Sequence, residues 1–153
     1  ADADLAEFAR CAALCNDASL APRDSSWILT GDPTEGALLT LAMKAGLDVA
    51  AERAALPRVD AIPFESERRF MATLHHDGQG RGRAYLKGAP EQVLAMCVAT
   101  ADGAPLDAAR WEGAITTAAR AGQRVLALAR CDVPAGTHTL AADGVAPRFA
   151  LLG

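Results

Sequence analysis

Phe70-Met71-Ala72-Thr73-Leu74-His75-His76 runs into Asp77-Gly78-Gln79-Gly80-Arg81-Gly82 and then into Arg83-Ala84-Tyr85-Leu86-Lys87-Gly88-Ala89-Pro90. Phe70, Ala72 and Leu74 recur at every second position, the period of a strand. The glycines of residues 78–82 supply turn chemistry, and residues 83–87 read as the returning strand of a hairpin, closed by Gly88-Ala89-Pro90. These glycines do not make a Walker loop, because the G-x-x-x-x-G-K-[ST] spacing is missing and they lie between two strands. His75 and His76 are adjacent in a strand, point to opposite faces and do not chelate one metal together.

Working outward, Val59, Ala61, Ile62 and Phe64 predict another strand after Pro57, joined to the hairpin by the polar residues 65–69. Downstream, residues 91–97 and 107–121 read as helices and residues 123–131 and 148–152 as strands. Upstream, Leu5, Phe8, Ala9, Ala12 and Cys15 lie at helical spacing over residues 4–17, followed by a polar, Pro-containing loop and a short strand at 27–29. A second helix is expected from Pro33 to about Gly46, with Asp32 as its cap and Glu35 reaching back, and a third over residues 49–55. This order predicts an α+β fold, a mostly antiparallel twisted sheet flanked by helices, in one domain over residues 1–153.

The 153 residues are 51% hydrophobic and 22% charged, enough apolar surface for one core. A net charge of −4 argues against a nucleic-acid binder, and only residues 58–90, with 6 basic and 4 acidic side chains, are positive. No stretch approaches the roughly 18–20 apolar residues of a membrane span, and the start, Ala1-Asp2-Ala3-Asp4, lacks the basic residues of a signal peptide. Cys11, Cys15, Cys97 and Cys131 form no C-x-x-C pair and read as buried, reduced thiols of a cytosolic compartment. The apolar end, Leu151-Leu152-Gly153, implies a piece of a larger chain.

The chemistry-bearing residues suit a nucleotide. Lys87 stands at a strand end before a glycine bend and a helix start, where backbone N–H groups and an ammonium suit a phosphate, although a strand-to-helix turn with an exposed Lys reads at least as well for these five residues alone. It is one of two lysines against thirteen arginines, a bias that favours a compact point charge at this place. Phe64, followed by Arg68-Arg69, combines a ring that can stack on a base with cations that can meet phosphates, although a core Phe beside a solvated charge run reads equally well. Taken alone, Gly31 to Glu35 is explained by helix capping and residues 122–128 say only strand. No Ser-His-Asp grouping, paired carboxylates or nucleophile is legible, and no metal site is expected.

Four segments in this order, Gly31-Asp32-Pro33-Thr34-Glu35-Gly36-Ala37-Leu38, Pro63-Phe64-Glu65-Ser66-Glu67-Arg68-Arg69-Phe70-Met71, Lys87-Gly88-Ala89-Pro90-Glu91 and Gly122-Gln123-Arg124-Val125-Leu126-Ala127-Leu128-Ala129, resemble the nucleotide-binding domain of P-type cation-transporting ATPases, most closely the calcium-type branch. The resemblance implies that Phe64 stacks on adenine, that Glu35 accepts from the adenine amino group or an ordered water, and that Lys87 lines the base pocket and reaches toward the phosphates. It also implies that Gly88 lets the backbone come close, that Arg124 meets the phosphates with help from Arg69, and that Met71 and Leu126 wall the pocket. Arg69 stands where the family usually has Lys.

In the intact enzyme the implied reaction is transfer of the ATP γ-phosphoryl to an Asp of a separate phosphorylation domain, with Mg²⁺ held mostly there. The D-K-T-G-T, G-D-G-x-N-D and T-G-E segments are missing from these residues, so this piece is expected to bind ATP without turnover. Its expected partners are ATP and the phosphorylation and actuator domains of the same polypeptide, with no nucleic acid and no direct membrane contact. Its expected place is the cytoplasmic side of a bacterial plasma membrane. The competing readings are the same domain from a Mg²⁺, Na⁺/K⁺ or H⁺ pump, and a non-catalytic interaction module that kept the fold and lost the nucleotide. A self-sufficient phosphatase or kinase is disfavoured by the missing nucleophile.

Overall fold

The structure, a computed structural model, describes residues 3–141 and 148–153. Ala1 and Asp2, whose composition entered the reading of the N-terminus, lie outside the described residues. The chain runs α1 (Ala3–Leu14), β1 (Ser19–Arg23), β2 (Ser26–Thr30), α2 (Pro33–Lys44), α3 (Val49–Ala55), β3 (Arg58–Ile62), β4 (Phe70–His76), β5 (Gly82–Gly88), α4 (Pro90–Ala95), β6 (Cys97–Thr100), α5 (Ala108–Arg120), β7 (Ala127–Val133) and β8 (Phe149–Leu151). Six strands form one sheet in the order β3-β4-β5-β7-β8-β6, antiparallel except for the β6–β8 pair, and β1–β2 is a separate hairpin. The expected α+β architecture is therefore present.

Register assigns the two faces. Met71 lies opposite Lys87, which lies opposite Leu128, and two residues along Thr73 lies opposite Tyr85. This face receives α1, whose Cys11, Ala12, Leu14 and Cys15 pack on Met71, Tyr85 and Leu128. The alternate residues Phe70, Ala72, Ala84, Leu86, Ala127 and Ala129 build a second core on the other face with Val93 of α4 and Phe149 and Leu151 of β8. A third, smaller core of Ala9, Ala13, Ala18, Leu39 and Ala42 joins α2 to α1. All four cysteines are buried and free, and burial pushes the Cys15 thiol up to about 11.

Four readings of the sequence need correction. Residues 19–23, expected as loop, form β1: in this exposed two-stranded hairpin no face is buried, so period-2 patterning is missing. Cys97, expected at a helix end, starts β6, a strand made by non-local pairing with β8. Residues 123–126, expected within a strand, precede β7, because the β5 ladder ends where Gly88 meets Ala127. Phe64, likewise, lies beyond β3, whose last partner pair is Ile62 with Ala72.

His75 is 2% exposed on the α1 face; its Nδ1–H donates to the Leu56 carbonyl at 2.8 Å and its Nε2 accepts from the Thr73 hydroxyl at 2.9 Å. Burial, aided by the nearby Arg58, lowers its pKa to about 4 against the pull of the Leu56 bond. The folded state therefore resists protonation that the unfolded chain accepts below its ordinary value near 6.5. This contribution is fully present above pH 6.5 and is lost as pH falls toward 4, at up to about 1.4 kcal/mol per pH unit. Urea melts at pH 7 and pH 5 should show a smaller loss of stability for His75→Gln than for the wild type.

Candidate nucleotide site

Antiparallel pairing brings four chain positions to one end of the sheet: the exit of β3, the entry of β4, the exit of β5 and the entry of β7. The segments carrying Phe64, Met71, Lys87 and Leu126 are these four positions. Asp32 caps α2 there, accepting from the N–H groups of Thr34 at 2.8 Å and Glu35 at 3.2 Å, with Pro33 in the first turn. These two bonds hold the Asp32 carboxyl below its ordinary range.

Between sheet end and helix start lies a cleft of about 320 Å³, at the lower end of the roughly 300–1,000 Å³ usual for ligand pockets. One wall is Met71, Lys87 and Gly88; the other is Asp32, Thr34, Glu35 and Leu38; Pro63, Phe64, Arg124, Leu126 and Asp17 form the rim. Phe64 is 56% exposed, so its ring is open to a ligand and not sealed in a core. Arg124 is exposed at the rim and close enough to Asp32 to act on its carboxylate.

Lys87 is 6% exposed, and its ammonium donates to Glu35 Oε1 at 2.6 Å, tying the two walls together. The other carboxylate oxygen, Glu35 Oε2, accepts the Asp17 N–H at 3.2 Å. The Glu35 side chain thus faces the cleft and does not reach back to its own helix cap, as the capping reading expected. The bend after Lys87 also differs from expectation: the Ala89 N–H donates to the Arg69 carbonyl at 2.9 Å and Pro90 has no N–H, so neither offers a backbone donor to a phosphate.

Seven of the eight residues singled out from the sequence, Glu35, Phe64, Met71, Lys87, Gly88, Arg124 and Leu126, line this one cleft. Arg69 does not: it takes a left-handed backbone, φ 55°, and its guanidinium pairs with Glu91 at 2.6 Å. Gly88 has a reason of its own for being glycine, since a Cβ there would lie 2.5 Å from the Arg69 carbonyl oxygen and 2.7 Å from Phe70 Cα. Sequence reasoning gave no ligand role to Asp17, Asp32, Thr34, Leu38 or Pro63. Leu38 was recoverable, being one helical turn from Glu35; Asp17 carried no local signal, because the fold alone brings its loop to the rim.

A larger groove of about 690 Å³ on the α1 side carries Arg10, Arg81 and Arg83. Each is already matched: Arg10 by Glu7 and Glu52, Arg81 by Asp77, Arg83 by Glu7 and Asp132. Its cations are neutralised by these carboxylates; in the smaller cleft Lys87 is likewise paired with Glu35, and the exposed Arg124 at the rim lies near Asp32. Among the described residues no group of three or more His, Cys, Asp or Glu is placed to hold a metal ion, and no helix is long and apolar enough to cross a membrane.

The sequence profile of the P-type ATPase cytoplasmic domain N matches residues 4–146. The "Cation-transporting ATPase pma1" of Synechocystis sp. is 44% identical over 131 residues, 83% of this chain and 14% of its own length. The "Probable cation-transporting ATPase F" of Mycobacterium tuberculosis is 46% identical over 119 residues, 75% of this chain and 13% of its own length. The "Sodium/potassium exporting P-type ATPase cta3" of Schizosaccharomyces pombe is 35% identical over 121 residues, 76% of this chain and 12% of its own length. This chain therefore spans about one seventh or less of these relatives. With an antiparallel sheet, flanking helices and a profile match over nearly its full length, the chain belongs to the cytoplasmic N-domain family of the P-type cation-transporting ATPases.

Proposed function

We propose that the chain is a single nucleotide-binding domain of a longer cation pump, and that it binds ATP in the cleft between Phe64 and Lys87. The observation that carries this reading is the convergence of an exposed aromatic ring and a strand-end ammonium on one opening. Phe64, Met71, Leu38 and Leu126 offer apolar surface to a base, while Lys87 and Arg124 offer positive charge to phosphates. Glu35 is the acceptor for the adenine amino group or an ordered water, and it keeps Lys87 in place. Stacking contributes about 1–3 kcal/mol and each charged hydrogen bond about 1.5–3, before the cost of association, which puts the isolated affinity in roughly the micromolar to millimolar range.

The bound ATP is presented to an aspartate of a separate phosphorylation domain of the same polypeptide, whose phosphorylation drives ion transport at a membrane; the fragment itself binds without turnover. We assign the calcium-type branch from the motif likeness, and a relative in Bacillus subtilis named "Calcium-transporting ATPase", 35% identical over 82 residues, is consistent with it. The residues present do not fit a resident Mg²⁺ site, since Asp32 caps α2 and Glu35 holds Lys87 and the Asp17 N–H. Mg²⁺ is assigned to the phosphates of the nucleotide and to the phosphorylation domain.

Calorimetry of the 153-residue chain with ATP tests the assignment residue by residue. Phe64→Leu should weaken binding about fivefold or more through lost stacking, with little change in stability because the ring is exposed. Arg69→Lys should change it less than twofold, since Arg69 faces Glu91. Equal losses in the two variants would mean that stacking is not the main contribution.

A further inference from the structure

The two walls of the cleft belong to different parts of the fold. Lys87 and Met71 are on the sheet, whereas Glu35 and Leu38 are on α2, which packs on α1 and meets the sheet side of the cleft through Leu38 and the Glu35–Lys87 pair. The α1–α2 contact is made mostly of small side chains, Ala9 and Ala13 of α1 with Ala42 of α2, together with Leu38 and Leu39 of α2. Packing in which small side chains predominate is less directional than hydrogen bonds.

Asn16, just past the end of α1, adds a directional constraint. It is 2% exposed, and its Nδ2 donates both to the Ala12 carbonyl at 3.0 Å and to the Glu35 carbonyl at 2.9 Å. Its Oδ1 accepts the Ala18 N–H at 2.9 Å, and its own carbonyl accepts from Arg58 Nη2 of β3 at 2.9 Å. The side-chain amide thus joins the last turn of α1 to the first turn of α2, and the main-chain carbonyl of the same residue links it through Arg58 to the sheet. The next residue, Asp17, holds the Glu35 carboxylate by its N–H, so consecutive residues grip the backbone and the side chain of Glu35.

We propose that Asn16 is a positioning residue for the nucleotide cleft: by fixing the first turn of α2 it sets the Glu35 carboxylate at the distance from Lys87 that the bound nucleotide requires. This rests on the ATP-binding reading above. A side chain needs two N–H donors and one acceptor in one plane to make these bonds, which asparagine has at this length and aspartate, serine and leucine do not.

The test is a double-mutant cycle read by ATP affinity in the 153-residue chain, with circular dichroism confirming that each variant is folded. Asn16→Asp keeps the shape but turns an acceptor toward the Ala12 and Glu35 carbonyls; it should weaken ATP binding about fivefold or more. In a Glu35→Ala background the same change should cost less than about twofold, while with Phe64→Ala, which shares no partner with Asn16, the losses should add. Full additivity with Glu35→Ala would overturn the proposal and leave Asn16 a residue of the fold only. If Asn16→Asp does not fold, the wild type decides: its Asn16 side-chain amide resonances should shift with the same half-saturation as the Glu35 amide, and no shift overturns the proposal. A wild type that ignores ATP removes the nucleotide reading itself, whereas wild-type binding with an unaffected Asn16→Asp removes only the role of Asn16.

Discussion

Replacing Lys87 by methionine is expected to weaken ATP binding by about 10- to 100-fold, the worth of one hydrogen-bonded charge. The ammonium is nearly buried and sits on the α1 face between Met71 and Leu128. Methionine follows the path of the lysine stem and keeps the packing, so the loss isolates the charge. It also leaves the Glu35 carboxylate with the Asp17 N–H and the open cleft as its remaining partners, at a cost of about 1–3 kcal/mol in a urea melt. Lys87→Arg should restore part of the affinity, because the charge returns but as a planar fork on a longer arm. Calorimetry on the three proteins checks this; an Lys87→Met variant that binds like the wild type contradicts it.

Gly88→Ala is expected to destabilise the fold through a backbone clash. The added methyl would meet backbone, the Arg69 carbonyl at 2.5 Å and Phe70 Cα at 2.7 Å, and backbone cannot swing aside as a side chain does. Relief requires β5 to separate from the start of β4, where Arg69 already has a left-handed φ and accepts the Ala89 N–H. Overpacking of this kind costs about 1–3 kcal/mol, which for a domain of this size lowers the melting temperature by about 2–12 °C. Thermal melts read it, and Gly78→Ala, at a turn where a Cβ meets nothing within 4 Å, is the control. Equal melting temperatures for the two variants would contradict the argument.

The helices and central strands were legible because their signals are local. Asp32 and Pro33 start α2 as their side chains dictate, and the alternation of Phe70, Ala72 and Leu74 places three apolar side chains on one face of a strand buried on both. The missed strands, β1 and β6, owe their existence to pairing, in a hairpin exposed on both sides and in a parallel contact with a strand some fifty residues away. At the site, Phe64 and Lys87 were readable as residue types at strand ends, and antiparallel pairing then brought those ends together. What the sequence did not carry was direction: the Arg69 guanidinium turns to Glu91, and the Glu35 carboxylate crosses to Lys87 and Asp17 instead of closing its own helix cap. A backbone φ and a contact across 52 residues decide these, and neither is written in a local window.

Titrating the ¹⁵N-labelled chain with ATP and following every backbone amide tests the central claim most directly. The largest shifts should fall on residues 32, 34–38, 64–65, 71, 87–89 and 124–126, saturating with one dissociation constant. Amides that stay still at millimolar ATP, or that move instead around the groove of Arg10, Arg81 and Arg83, would contradict it.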